Sequence, residues 1–291
     1  MFLSIRDFTV KWVGYKNLFD GLRDLGINSF ELYVSRELKP DAYVDMGHKT
    51  LLGLDVSSRE YRVQLRRLLE EEGFTISAIL IENDFSRPDM DAEIKYVVDA
   101  CRVAGDLGVP VVRINAMMRE LPGYTIEEYV ERMVKAVSPC LETCSDLGVS
   151  LAMENHGVIG NRDEFIEKLI DEIGSEYFGL TLDTGNFYWY GYPLSRVYEI
   201  IEKYAHLVKH THVKNASVPK NLREAQRKPG EVKMMPLYEG DIDLKKVIKT
   251  LKSKGYDYDI NIEDESLGAY KDPLTILKND VKFLKEIIDN I

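Results

Sequence analysis

One phrase recurs along the chain. A stretch with apolar residues three and four apart closes on glycine, and a short apolar run begins directly after it. It reads DLG-INSFELYV (24–34), EEG-FTISAILI (71–81), DLG-VPVVRIN (106–115), DLG-VSLAMEN (146–155) and SKG-YDYDINIE (253–263). The first spacing is that of a helix with one buried face. Glycine just past a helix supplies the left-handed cap, and an apolar run of five to eight residues suits a strand buried on both faces of a parallel sheet. Three further strands fit without the phrase: the opening segment, YFGLTLD and LVKHTHV. The expected strands are therefore 2–8, 27–34, 74–82, 109–115, 149–155, 177–183, 207–213 and 257–263. Helices are expected over 15–25, 57–72, 91–107, 125–147, 162–173, 194–205, 244–254 and 273–291. Ser57 and Ser58, Thr125, and the pair Asp272-Pro273 mark helix starts.

Eight strands alternating with eight helices in 291 residues predict an α/β fold, a single-domain (β/α)8 TIM barrel over 1–291. A doubly wound open sheet is the alternative. It normally carries fewer strands or a glycine-rich first loop, and neither GxGxxG nor GxxxxGK[ST] is present. Two connections exceed the length of plain turns, 35–56 with His48 and 214–241 with Lys214, Lys220, Arg223, Arg227, Lys228 and Lys233. Both follow strands, so both belong to the catalytic face of a barrel. The second is basic, and reads either as solvated lysines or as a lid over an anionic or polar substrate.

The strand ends carry the chemistry. SLAMENHG ends in Glu154, LTLDTGN in Asp183, HTHVK in His212 and INIEDES in Glu263. Period-two alternation sends Ala152 inward with Glu154, Thr181 with Asp183, His210 and Lys214 with His212, and Asn261 with Glu263. The neighbours Met153, Leu182, Val213 and Ile262 then face the helices. Alone, each strand-end carboxylate is most simply a cap or a surface charge. Three carboxylates and an imidazole at one desolvated rim raise each other's pKa unless a cation neutralises them. Oxygen-rich ligation with one histidine suits Mn²⁺, Co²⁺ or Mg²⁺, and also accommodates Zn²⁺.

With these motifs, together with LYEGDIDL (237–244), the chain resembles the xylose isomerase-like TIM-barrel superfamily. Within it the likeness is to the sugar phosphate isomerase/epimerase group that includes ketose 3-epimerases, and it extends over essentially the whole sequence. The resemblance implies one divalent metal bound by Glu154, Asp183, His212 and Glu263. It implies a metal-dependent isomerase or epimerase of a sugar or sugar phosphate, with Glu154 and Glu263 moving a proton beside a carbonyl through an enediolate. The family often has His three residues after the Asp; here that residue is Asn186, which can hydrogen-bond a substrate hydroxyl but is a poor ligand. His156 falls near the substrate or supports a ligand, and Lys214 meets a substrate oxygen or a ligand carboxylate. Glu31 and Arg113, late in apolar strands, are substrate contacts or an ion pair inside the barrel. Glu82, Asn83 and Asp84 end the third strand, and Trp12 and the run FYWY (187–190) flank strand ends as pocket walls or as a homo-oligomer contact.

Composition narrows the alternatives. Net charge is −11 with only five histidines. That argues against nucleic-acid binding and against an endonuclease IV-like phosphodiesterase, whose resemblance requires several metals and many histidines. A keto-inositol dehydratase-like lyase shares the metal and the proton abstraction, and remains as the competing reaction. A non-catalytic sugar-binding barrel is opposed by the retention of all four ligands. No apolar run is long enough to span a bilayer, the N-terminus does not read as a signal peptide, and Cys101, Cys140 and Cys144 read as buried thiols rather than a disulfide framework. The expected setting is cytoplasmic, the expected partner a small-molecule carbohydrate.

Overall fold

The computed structural model describes residues 1–39 and 56–291. His48 and most of the first long connection lie outside the described residues. Six parallel strands form a continuous arc: β2 (Ser29–Tyr33), β3 (Thr75–Leu80), β4 (Val111–Ile114), β5 (Ser150–Glu154), β6 (Phe178–Asp183) and β7 (Val208–His212). Its gap is filled by a parallel pair, β1 (Phe2–Ile5) with the last barrel strand, β10 (Asp259–Ile262). Bridges at Arg6–Glu31 and Val213–Ile262 join this pair to either end of the arc. The result is the expected eight-stranded TIM barrel. Between β7 and β10 the Thr211 hydroxyl donates to Asp259 O (3.0 Å) and accepts from Asn261 N (3.1 Å), so a side chain carries part of the ladder there.

The recurring phrase has the geometry it predicts. Gly26, Gly73, Gly108 and Gly148 are left-handed caps with φ between 63° and 75°, a region that costs other residues energy. Ser58 caps helix Arg59–Glu72, Thr125 opens Ile126–Leu147 with a reciprocal capping box, and Asp272 caps Pro273–Ile288. Leu151, Met153, Leu180, Leu182, Val213 and Ile262 lie in the main apolar core between sheet and helices. Ala78, Val111 and Ala152 form a separate small cluster. Val111 and Ala152 share the parity of Arg113 and Glu154, so this second cluster lines the barrel interior beneath the polar mouth.

Three local features differ from the sequence reading. The first strand stops at Ile5, and Asp7–Trp12 is a helix. Alternation in so short a segment does not separate the two states, and the buried Asp7 side chain, which accepts from Phe8 N (2.6 Å) and Tyr33 N (3.2 Å), holds the turn. The second long connection contains an antiparallel hairpin, β8 (Asn215–Ser217) with β9 (Lys233–Met235). Arg223 pairs with Asp241, while Arg227 lies over the Tyr188 ring (4.3 Å) and donates to Tyr192 O (3.0 Å), so both arginines of the basic stretch are engaged by the protein itself. Cys101 and Cys144, on neighbouring helices with Cα atoms 5.8 Å apart, are paired as a disulfide; Cys140 is a buried thiol. Forty-three positions separate the paired cysteines, and helix docking, which sequence spacing does not report, brings them together.

Candidate metal centre

Each of the four strand-end residues sits where a buried strand breaks into a loop. Glu154 closes β5, Asp183 closes β6, His212 closes β7, and Glu263 follows β10. Apolar neighbours lock these strands by burial, so alternation aims the polar end groups inward. All four are buried, and one ligand atom from each lies within 4.8 Å of the others. Atoms bound to one ion at about 2.1 Å stand at most about 4.2 Å apart, so the set has to contract around an ion to share one centre. Asp183 Oδ2, His212 Nδ1 and Glu263 Oε2 are buried without a hydrogen bond of good geometry. Their partners are charges: Lys214 Nζ lies within 3.1 Å of both carboxylate oxygens, and His212 Nδ1 is 2.9 Å from Glu263 Oε2. This donor set fits a divalent cation with oxygen-rich ligation.

The surrounding charges hold Glu154 and Glu263 ionised. Arg113 pairs with Glu154 Oε2, and Arg6 with Glu263 Oε1. Burial works against the Glu154 carboxylate, yet Arg113, His212 and His156 outweigh it and keep its pKa well below the ordinary range. Glu263 is likewise held low against burial by His212, Lys214 and Arg6. For Asp183 burial wins, with Glu154 and Glu263 adding to it against Lys214, and its pKa is pushed up to about 7. His212 has Nδ1 2.9 Å from Glu263 Oε2 and 3.4 Å from Glu154 Oε2. Burial disfavours its charged form, but Glu263, Glu31 and Glu154 prevail and raise its pKa well above the usual value.

The remaining expected residues divide between the mouth and the layer beneath it. Asn186 Nδ2 donates to Glu154 Oε1 (3.0 Å), and its backbone N–H, with that of Gly185, donates to Asp183 Oδ1 (2.8 Å each). Lys214 Nζ lies 3.0 Å from Asp183 Oδ2, 3.1 Å from Glu263 Oε2 and 2.9 Å from Glu265. Of the two contacts expected for Lys214, the structure contains the one to the strand-end carboxylates. His156 Nδ1 is 3.0 Å from Asn115 Oδ1 and 3.2 Å from Arg113 Nη2. Burial lowers its pKa, with Arg113 and Lys214 reinforcing the effect against Glu154. Arg113 also donates to Ile81 O (3.0 Å). Glu31 is 1% exposed and lies beneath His212 rather than in the mouth, bonded to His210 and His212.

Arg6 was not singled out from sequence. It follows the apolar run FLSI directly, so the reasoning that selected Glu154 also selects it once the first strand is ended at Ile5. Phe8 and Trp12, packed edge to face 5.8 Å apart, are 43% and 48% exposed. They wall a cavity of about 400 Å³ that also reaches Arg6, Tyr33, Glu82 and Glu263. No helix among the described residues is long and apolar enough to cross a membrane.

Comparison with known proteins agrees with this architecture. Inosose dehydratase of Clostridium perfringens is 25% identical over 176 residues, covering 55% of each chain. The chain spans between about half and two thirds of the length of the curated relatives it matches. A D-tagatose 3-epimerase-like protein superposes with TM-score 0.70 at 19% identity, covering 99% of this chain and 97% of that one. The IOLI protein, solved with a bound zinc atom, superposes with TM-score 0.72 at 15% identity, covering 100% and 97%. At such identities the likeness is one of fold. Residues 19–287 match the family model described as Xylose isomerase-like TIM barrel, and the chain belongs to that family.

Proposed function

We propose that this member of the xylose isomerase-like family is a divalent-metal-dependent isomerase or epimerase acting on a ketose-like carbohydrate. The observation that carries the reading is the convergence of Glu154, Asp183, His212 and Glu263 within 4.8 Å. A divalent cation held by them would supply Lewis acidity to a substrate carbonyl and an adjacent hydroxyl, making the neighbouring C–H acidic. Glu154, kept ionised by Arg113, would remove that proton, and Glu263, kept ionised by His212, Lys214 and Arg6, would serve the other face of an enediolate. Return of the proton to the same carbon epimerises; return to its neighbour isomerises. Asn186 and His156 supply polar contacts at the rim, and Lys214 offers a positive charge to a substrate oxygen. The cavity beside Phe8 and Trp12, about 400 Å³, falls at the lower end of the range for small-ligand pockets, about 300–1,000 Å³.

The inosose dehydratase relative favours a second reading, in which the same proton abstraction is followed by loss of water. Proton exchange in D₂O with Mn²⁺ and a panel of ketoses, ketose phosphates and keto-inositols tests both. Deuterium uptake at one carbon without loss of mass supports epimerisation or isomerisation, and uptake coupled to dehydration supports the lyase. Glu154→Gln and Glu263→Gln should each lower exchange by about 10²–10⁴-fold. A metal-loaded protein that exchanges no substrate proton on the panel contradicts the enzymatic reading.

A further inference from the structure

Beneath the four ligands lies a second buried cluster that the chemistry above does not use. Glu31 Oε1 stands 2.9 Å from His212 Nε2 and 2.9 Å from His210 Nε2. Its other oxygen accepts from Asn261 Nδ2 (3.3 Å) and lies 3.6 Å from Arg6 Nε. His210 Nδ1 is 2.8 Å from Asp259 Oδ2, and Asp259 Oδ1 accepts from Tyr256 OH (2.8 Å). Glu31, His210, His212 and Asp259 are each at most 1% exposed.

We propose that Glu31 is a positioning residue for the cation site, holding His212 with Nε2–H turned away and Nδ1 turned toward Glu154 and Glu263. An ionised carboxylate only accepts hydrogen bonds, so a nitrogen 2.9 Å from Oε1 has to be the donor. That keeps a proton on His212 Nε2 and leaves Nδ1, which faces Glu263 Oε2 at 2.9 Å, as the nitrogen that would give up its proton to a cation at the mouth. His210 is fixed from behind by Asp259 and donates to the same oxygen, so Glu31 cannot swing away without breaking both bonds. Outer groups of this kind set the tautomer and orientation of a histidine ligand, and their removal typically weakens metal binding about 10–100-fold. Glu31 is 1% exposed and is assigned no contact with substrate. The proposal rests on the metal-dependent reading for its functional meaning, but not for its test.

The test compares wild type, Glu31→Gln, Glu31→Ala and His210→Gln in two measurements. Calorimetric titration with Mn²⁺ alone should give a dissociation constant raised about 10–100-fold by Glu31→Ala, and less by Glu31→Gln, which keeps an acceptor oxygen. His210→Gln, which loosens Glu31 only from behind, should also fall between wild type and Glu31→Ala. Long-range ¹H–¹⁵N spectra of the imidazoles, recorded without metal, should show a protonated Nε2 on His212 in wild type and its loss or exchange broadening in Glu31→Ala. If Glu31→Ala does not fold, the Glu31→Gln and His210→Gln spectra carry the comparison. Folded Glu31 variants with wild-type Mn²⁺ affinity and an unchanged His212 ring overturn the proposal. So does a second equivalent of Mn²⁺ that disappears with Glu31→Ala, because the cluster is then an ion site itself. A wild type that binds no Mn²⁺ sinks the metal-dependent reading, and the ring spectra still decide the role of Glu31.

Discussion

Replacing Arg113 with methionine removes the guanidinium from Glu154 while keeping most of the aliphatic volume. Both side chains are at most 3% exposed, so no solvent reaches the carboxylate left behind. Arg113 also satisfies Ile81 O. Removing one partner of a buried ion pair costs about 3–5 kcal/mol, because the other charge stays desolvated. For 291 residues, with an unfolding entropy of about 2.1 cal/mol/K per residue, that is a fall of about 5–8 °C in Tm. Replacing both partners, as Arg113→Met with Glu154→Met, leaves no orphaned charge and should recover most of the loss. A cation at the site neutralises Glu154 in place of the guanidinium, so saturating Mn²⁺ should stabilise Arg113→Met by more than it stabilises wild type. The assay is guanidinium unfolding of the three proteins with EDTA and with Mn²⁺. A single variant losing less than about 1 kcal/mol, or a loss indifferent to the double substitution and to Mn²⁺, refutes the reasoning.

Asp280, buried on the last helix, has its pKa pushed up to about 9, by burial first and then by Asp264. A carboxyl whose folded pKa is raised contributes its full stability below the unfolded value near 4 and loses it as pH rises through the folded value. Asp280→Asn, which cannot ionise, should therefore gain stability relative to wild type steadily between about pH 4 and 9, read from urea midpoints at pH 5 and pH 8; a constant difference contradicts the assignment. Trp12→Ala should raise KM more than it lowers kcat, because the ring walls the cavity but carries no group able to move a proton, and an equal fall in kcat would place Trp12 in the chemistry instead. Asn215→Ala removes bonds to Leu237 O (2.9 Å), Ile242 O (3.0 Å) and Ile242 N (3.1 Å) that tie the hairpin connection to the barrel. It should destabilise by about 1–3 kcal/mol in denaturant unfolding.

The four presumed ligands were legible because the barrel strands are short apolar runs whose parity is set by burial. Once Met153, Leu182, Val213 and Ile262 are assigned to the helix side, Glu154, Asp183 and His212 have one direction left, and Glu263 follows suit. What alternation does not reveal is pairing. Arg6 meets Glu263 across 257 positions and Glu31 meets His212 across 181, contacts created only when the barrel closes. Glu31 therefore read as a substrate contact or a partner of Arg113, although its bonds run to the two histidines of β7. Alternation carries the first strand on to Phe8, past its end at Ile5, because its few polar residues alternate as well in a strand as in a first helical turn. The arginines of the basic connection show a further limit. Their charge is visible in the sequence, whereas the Tyr188 ring and Asp241 that absorb it come from distant segments.

Whether Glu154, Asp183, His212 and Glu263 hold one ion decides the metal-dependent reading. Purified protein should be stripped with chelator, reloaded with Mn²⁺, and its metal content counted by mass spectrometry after dialysis, beside Asp183→Asn and His212→Asn. One Mn²⁺ per chain in wild type, falling well below stoichiometric in both folded variants, is the predicted result. A wild type that retains no ion, or variants that retain as much as wild type, would contradict it.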